Sequence, residues 1–416
     1  NRILSGNLCE EWEDQDMKNI LFAASECVPF IKTGGLADVV GSLPKDFDKE
    51  KYDVRVVIPN YMCMKQEWKE KLEYVAHFYM DIAGQDRYVG VLKIDLNGII
   101  FYFIDNEEHF SGDKPYYGMP GDLEKFAFFS KAALSILPVI DFRPDIIHCH
   151  DWQTGLIPVY LKNEFQADSF YWGMKSIITI HNLKFQGVWD VKTMKGLTGF
   201  SADLFAPDKL EAYKDANFLK GGIVFADAVT TVSNTYAEEI KTPFYGERLD
   251  GLLCARAHDL RGIVNGIDYD VFNPETDKCI TRNYNAKTFR KEKVKNKIQL
   301  QKDLGLNEDP NAMLIGIVSR LTDQKGFDLI GVAVHAVRGG FVDGIDIEQH
   351  VAAFNRQFVR QILSLEKLVQ KKDCGASHSL AARGQKISKL AQAALANHII
   401  PDIFCITEHN CPHSMA

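Results

Sequence analysis

The chain has 416 residues, 46% hydrophobic and 25% charged, with a formal net charge of −8. This is the composition of a globular chain long enough for two or three domains, and its acidity argues against broad nucleic-acid binding. No apolar run reaches the ~18 residues a membrane span needs, so no membrane partner is expected.

Asn1 to Asp16 is acidic (Glu10, Glu11, Glu13, Asp14, Asp16) and lacks the charged and apolar regions of a signal peptide. Met17-Lys18-Asn19 looks like a natural start, which makes residues 1–16 a leader. The nine cysteines are scattered and, with no export signal, read as reduced thiols in a cytoplasmic protein.

The run Asn19-Ile20-Leu21-Phe22-Ala23-Ala24-Ser25-Glu26 reads as a buried parallel strand. Just after it comes Lys32-Thr33-Gly34-Gly35-Leu36-Ala37-Asp38, and a helix is expected from Leu36 to Leu43. Two adjacent glycines let a ligand approach the backbone, and the free N–H groups of a helix start favour an anion. Strand, Gly-Gly turn, helix and Lys32 together suit a phosphate or nucleotide-sugar site. A plain strand-to-helix turn with no ligand explains the same residues about as well.

Further strands are expected at Val54–Pro59, Ile99–Ile104, Asp145–His150, Ser176–His181 and Ala228–Ser233, with helical spacing at 123–137 and 236–240. The alternation predicts a doubly wound, parallel α/β sheet, with ligands at the carboxyl ends of its strands. The polar residues at those ends are Glu26, His150, Asp151, His181 and Ser233. A second α/β unit is expected from about Gly262, with a strand at 263–268, an exposed helix at 290–303 and a strand at 313–319. From Gly331 the pattern changes. Ile347, Val351, Phe354, Phe358, Ile362, Leu365 and Val369 fall on one face of a long helix, and 381–400 suits another.

The loop at 32–41 closely resembles the N-terminal signature of bacterial glycogen synthases and plant starch synthases. So do Ser25-Glu26-Cys27-Val28-Pro29-Phe30, His150-Asp151-Trp152, His181-Asn182-Leu183 and Ser319-Arg320-Leu321-Thr322-Asp323-Gln324-Lys325-Gly326. The resemblance runs from about Met17 to about Ile330. It implies a GT-B-like fold, with an acceptor-side domain at 17–261 and the start of a nucleotide-sugar-binding domain at 262–330. Residues 331–416 would then be a divergent, mostly helical tail. It also implies retaining transfer of glucose from ADP-glucose to the non-reducing end of an α-1,4-glucan (glycogen or maltooligosaccharide), with no cofactor and no metal.

Residue by residue, the resemblance gives Lys32, Gly34, Gly35, Arg320 and Lys325 the diphosphate, with Asp38 in the same loop. Asp151 and His181 line the sugar pocket, and Asn265 lies near the donor. Tyr117, Asp122 and Glu124 fall in the acceptor-side loop. Each has a plainer reading: Arg320 and Lys325 as solvated strand-end charges, His181 as a satisfied structural group, Asn265 as turn chemistry with Gly266. Cys405, His409, Cys411 and His413 are close in sequence, but their spacing matches no firm zinc pattern. Family members carry a late Glu-Pro-Cys-Gly segment whose Glu contacts the donor glucose, and residues 331–416 contain none. A second expectation follows, a catalytically impaired remnant that binds glucan or ADP without turnover.

Overall fold

The computed structural model describes residues 17–116, 120–312, 314–318 and 403–406. The chain divides into two compact units, residues 1–268 and 269–416. The first unit opens with β1 (Lys18–Ala23), α1 (Gly35–Ser42), β2 (Tyr52–Pro59), α2 (Gln66–Lys69), β3 (Glu73–Ile82), β4 (Gln85–Leu96), β5 (Ile99–Asp105), α3 (Glu107–Phe110) and α4 (Pro120–Ser135). It continues with β6 (Ile146–His150), α5 (Leu156–Asn163), β7 (Lys175–Ile180), β8 (Val188–Asp190), α6 (Val191–Thr198), β9 (Glu211–Ala212), β10 (Asp215–Asn217) and α7 (Phe218–Phe225). It closes with β11 (Ala228–Thr231), α8 (Asn234–Glu239), α9 (Asp250–Ala255) and β12 (Leu260–Gly262).

Among the described residues, nine strands form one sheet in the order β12-β11-β7-β6-β1-β2-β5-β4-β3. From β12 to β5 every pairing is parallel; β4 and β3 add an antiparallel edge. β1 sits where the strand order reverses, with β6 on one side and β2 on the other. In an open α/β sheet that reversal opens a crevice at the carboxyl ends.

The core follows from period-two alternation along β1. Ile20 and Phe22 pack with Val56, Ile58, Phe101 and Phe103 and with Leu36 and Val40 of α1. Leu21 and Ala23 face the other way, into a larger cluster that takes in Phe126 and Phe129 of α4, Ile157 and Tyr160 of α5 and Leu219 of α7. Both faces of the strand are covered, which is why it reads as a continuous apolar run.

Where α7 begins, its backbone meets the start of α5 with no room for a side chain. A Cβ on Gly155 would lie 2.4 Å from the Phe218 carbonyl oxygen, and one on Gly222 would lie 3.0 Å from the Gly155 Cα. These are backbone neighbours that no side-chain rotation relieves. Gly155→Ala is therefore expected to destabilise the unit by about 2–3 kcal/mol. Urea denaturation with an unchanged midpoint would show that the helices separate at little cost.

Two features differ from the sequence expectation. The hairpins linking β3, β4 and β5 were not anticipated, although Asn97-Gly98 (φ 58° and 75°) is a turn signal of the kind that joins antiparallel strands. The strand expected at 263–268 does not form. The paired strand is β12, whose Leu260 sits opposite Val229 of β11 and whose Gly262 ends the ladder opposite Thr231. Beyond it the Ile263 N–H still reaches the Thr231 carbonyl at 2.8 Å, but Ile263, Val264 and Ile267 are 62%, 69% and 62% exposed, and among the described residues no strand ladder includes them.

In the second unit, α10 (Phe289–Asp303) is the charged helix expected there, with Gln301 as its buried residue. β13 (Ile315–Val318) pairs in parallel with β14 (Ile403–Ile406). The expected leader at 1–16 and the expected tail helices at 347–369 and 381–400 lie outside the described residues. No helix among the described residues is long and apolar enough to cross a membrane.

Candidate functional site

The loop after β1 is held from below. Glu26 lies three residues past the end of β1 and is 2% exposed. Its Oε2 accepts the Thr33 N–H, and the Thr33 hydroxyl meets the Tyr116 hydroxyl at 2.5 Å. Burial pushes the Glu26 carboxyl up to about 7, against the donors of Thr33 and Gly34 and with a further push from Asp151. A buried carboxyl stays neutral when its desolvation outweighs the donors aimed at it.

Above Glu26, Gly34 is extended and caps α1 without a side-chain hydrogen bond, so the helix starts with its N–H groups uncapped. A Cβ on Gly35 would meet nothing within 4 Å, and one on Gly34 only Glu26 Oε1 at 3.7 Å. The protein's own packing does not demand glycine at either position. Lys32 pairs with Asp38 at 2.9 Å, both half-exposed. Such a pair is worth about 0–1 kcal/mol, so an incoming anion can compete for the lysine.

Asp151 and His181 lie at the ends of neighbouring strands. In the β6–β7 ladder His150 sits opposite Thr179, which places Asp151 beside the turn after β7. Asp151 Oδ1 accepts the His181 N–H at 2.7 Å and the Asn182 N–H at 3.4 Å. Its backbone has φ 57° and ψ −170°, a region that side chains other than glycine's rarely occupy. Strain of this kind, held by two hydrogen bonds at a strand end, points to a site rather than to packing. Burial pushes the Asp151 carboxyl up to about 7 against those two donors, and holds His181 down at about 4. His148, two residues before His150, is also held down by burial, at about 3.

Of the residues singled out from the sequence, the structure brings Lys32, Gly34, Gly35 and Asp38 together on one loop, and Asp151 and His181 onto the same edge of the sheet. Glu26 interacts with Asp151 from beneath that loop. As a strand-end residue it was visible in the sequence, but its grip on Thr33 was not. Ser233 is accounted for as the cap of α8, accepting the Tyr236 N–H at 2.9 Å. Asn265 is exposed in the irregular stretch after β12. Asp122 is buried and ion-paired with Lys125 at 3.2 Å, and Glu124 pairs with Arg87 at 3.4 Å; both thus hold the start of α4. Tyr117, Arg320, Lys325, His409, Cys411 and His413 lie outside the described residues, and Cys405 is described only as part of β14.

A family model for the starch synthase catalytic domain matches residues 19–255, the stretch that holds the loop, Asp151 and His181. The chain belongs to that family. Within it, this sequence is 68% identical over 314 residues to the glycogen synthase of Lachnospira eligens and 49% identical over 312 residues to that of Clostridium beijerinckii. Those alignments cover 76% and 75% of this chain, and 66% and 65% of the two relatives. The chain thus spans about two thirds of the length of the curated relatives it matches. A solved structure, the catalytic domain of starch synthase IV from Arabidopsis thaliana bound to ADP and acarbose, superposes with a TM-score of 0.69 at 29% identity. The match covers 83% of this chain and 72% of that one. The family's fold is the GT-B type, to which the large, mainly parallel sheet of the first unit conforms.

Proposed function

We propose that this chain is a glycogen synthase: a glycosyltransferase that moves glucose, with retention, from ADP-glucose to the non-reducing end of an α-1,4-glucan. The observation that carries the reading is the juxtaposition at one sheet edge of an uncapped, glycine-lined helix start and the strained Asp151–His181 pair. The uncapped N–H groups and Lys32 suit a diphosphate. Arg320 and Lys325 would stabilise the charge that develops on it as ADP leaves. Asp151 and His181 shape the sugar pocket beside it, and Asn265 borders the donor. The residues supply the positive charge themselves, so the reading requires no metal.

The test is transfer of labelled glucose from ADP-glucose to glycogen, by the chain as it stands and by a fusion carrying a relative's complete second domain. The fusion is expected to transfer, and maltooligosaccharide is expected to bind the chain itself at millimolar concentration in calorimetry. A fusion that neither transfers nor binds glucan would overturn the reading. In a second reading, the chain alone binds ADP or glucan without turnover. Turnover by the unfused chain at the fusion's rate would remove it.

A further inference from the structure

His150, the last residue of β6, is fully buried directly behind His181. Its Nδ1 lies 3.0 Å from His181 Nε2. One proton occupies that hydrogen bond, and it can come from either ring. If His181 Nε2–H donated, neutral His150 would carry its own proton on Nε2. That nitrogen is buried and has no hydrogen-bond partner among the described residues. It is sandwiched instead between rings: Phe22 stacks on His150 with centroids 5.7 Å apart and planes 21° apart, and the His148 ring lies at 4.3 Å. An orphaned buried N–H is rarer in native proteins than an under-used acceptor. The proton therefore sits on His150 Nδ1 and points at His181.

We propose that His150 is a positioning residue that locks His181 in its Nδ1–H tautomer, so that His181 can only donate to a ligand oxygen. The His181 lone pair on Nε2 is used by His150. Its Nδ1 makes no hydrogen bond among the described residues, and the ring is half-buried. The backbone N–H of His181 is tied to Asp151 Oδ1 at 2.7 Å, so the residue is held at both ends. The ring is consequently a poor general base and a preorganised donor, suited to a hydroxyl that must be oriented rather than deprotonated. That the hydroxyl belongs to a sugar rests on the glucosyl-transfer reading; the tautomer does not.

The experiment labels the full chain with ¹⁵N-histidine and reads ring tautomers by NMR through two-bond nitrogen–carbon-proton correlations, without ligand. The spectra are assigned with H150N and H181N. His181 is expected as Nδ1–H in the parent and in H150N, where the Asn amide can replace the His150 donor. It is expected to lose that preference in H150F. In the transfer assay, run in the fusion, H150F should lose about tenfold in kcat, the value of roughly one hydrogen bond, and H150N should recover most of it. An Nε2–H tautomer for His181 in the parent would overturn the proposal without any variant having to fold. So would an H150F that keeps the parent tautomer and rate. The expected tautomers with no transfer by any form of the fusion, and no glucan binding, would support the dyad and sink the glucosyltransferase reading instead.

Discussion

Asp151→Ala is expected to destabilise the first unit by about 2–4 kcal/mol and to lower glucosyl transfer by about 10²-fold or more. Two costs combine. The N–H groups of His181 and Asn182 lose their shared acceptor at a half-buried position. The alanine also inherits φ 57° and ψ −170° with nothing to hold it there. Asp151→Gly loses the same acceptor but adopts that backbone freely. Glycine should therefore be more stable than alanine by about 1–2 kcal/mol, with transfer equally poor. Asp151→Asn keeps an acceptor and should be the mildest of the three. Urea denaturation of the three variants checks the order. Equal stability for alanine and glycine would mean that the backbone is unstrained and that the carboxylate acts through hydrogen bonding alone.

Glu26→Gln should be more stable than the parent at pH 8 by about 2–3 kcal/mol and close to it at pH 5. In the folded chain burial pushes Glu26 from its ordinary 4.5 up to about 7. Between those values the unfolded chain has released the proton and the native chain has kept it. The contribution of Glu26 to stability is therefore fully present below about 4.5 and is lost as pH rises through 7. Glutamine does not titrate, and its carbonyl can still accept the Thr33 N–H. The buried histidines act in the opposite sense. His148 and His181 are held down at about 3 and 4, and His150 well below its ordinary value, so each costs stability as pH falls below 6.5. They are common to parent and variant, and so is Asp151, whose carboxyl is also pushed up to about 7, so the difference between the two curves reports Glu26 together with its coupling to Asp151. A constant difference from pH 5 to pH 8 would show that the carboxyl is ionised throughout. The same protonation has a functional side. An ionised Glu26 beneath the Gly34–Gly35 loop would oppose a bound diphosphate, whereas a neutral one leaves the helix start electropositive.

Much of the fold was legible in local pattern. Apolar runs such as Ile20–Ala24 and Ile146–Cys149 are long enough, and bounded clearly enough, to mark buried parallel strands. Their alternation with amphipathic segments leaves few arrangements besides a wound sheet. The hairpin edge was harder. Along β3, Tyr74, His77 and Tyr79 are exposed on a partly aromatic strand, so apolar residues fall on the solvent face and blur the period-two signal. Asn97-Gly98 was the remaining clue. The residues at 263–268 misled for the converse reason. A short run of Ile and Val looks like a strand wherever it occurs, but a strand needs a partner, and the ladder ends at Gly262.

Motif and residue order by themselves determined the family and the wound α/β sheet of the first unit, and they pointed to the sheet edge proposed for the site. These depend on residue type and order along the chain, which sequence states directly. Tertiary structure alone decided that Glu26 reaches Thr33 and that Asp151 sits in a glycine-like backbone region. It also decided that His150, not a carboxylate, stands behind His181. The first depends on how the loop after β1 folds back on its own start, and the other two on the register between β6 and β7, strands far apart in sequence. A slip of one residue between β6 and β7 would turn His150 to the other face and leave His181 without its partner.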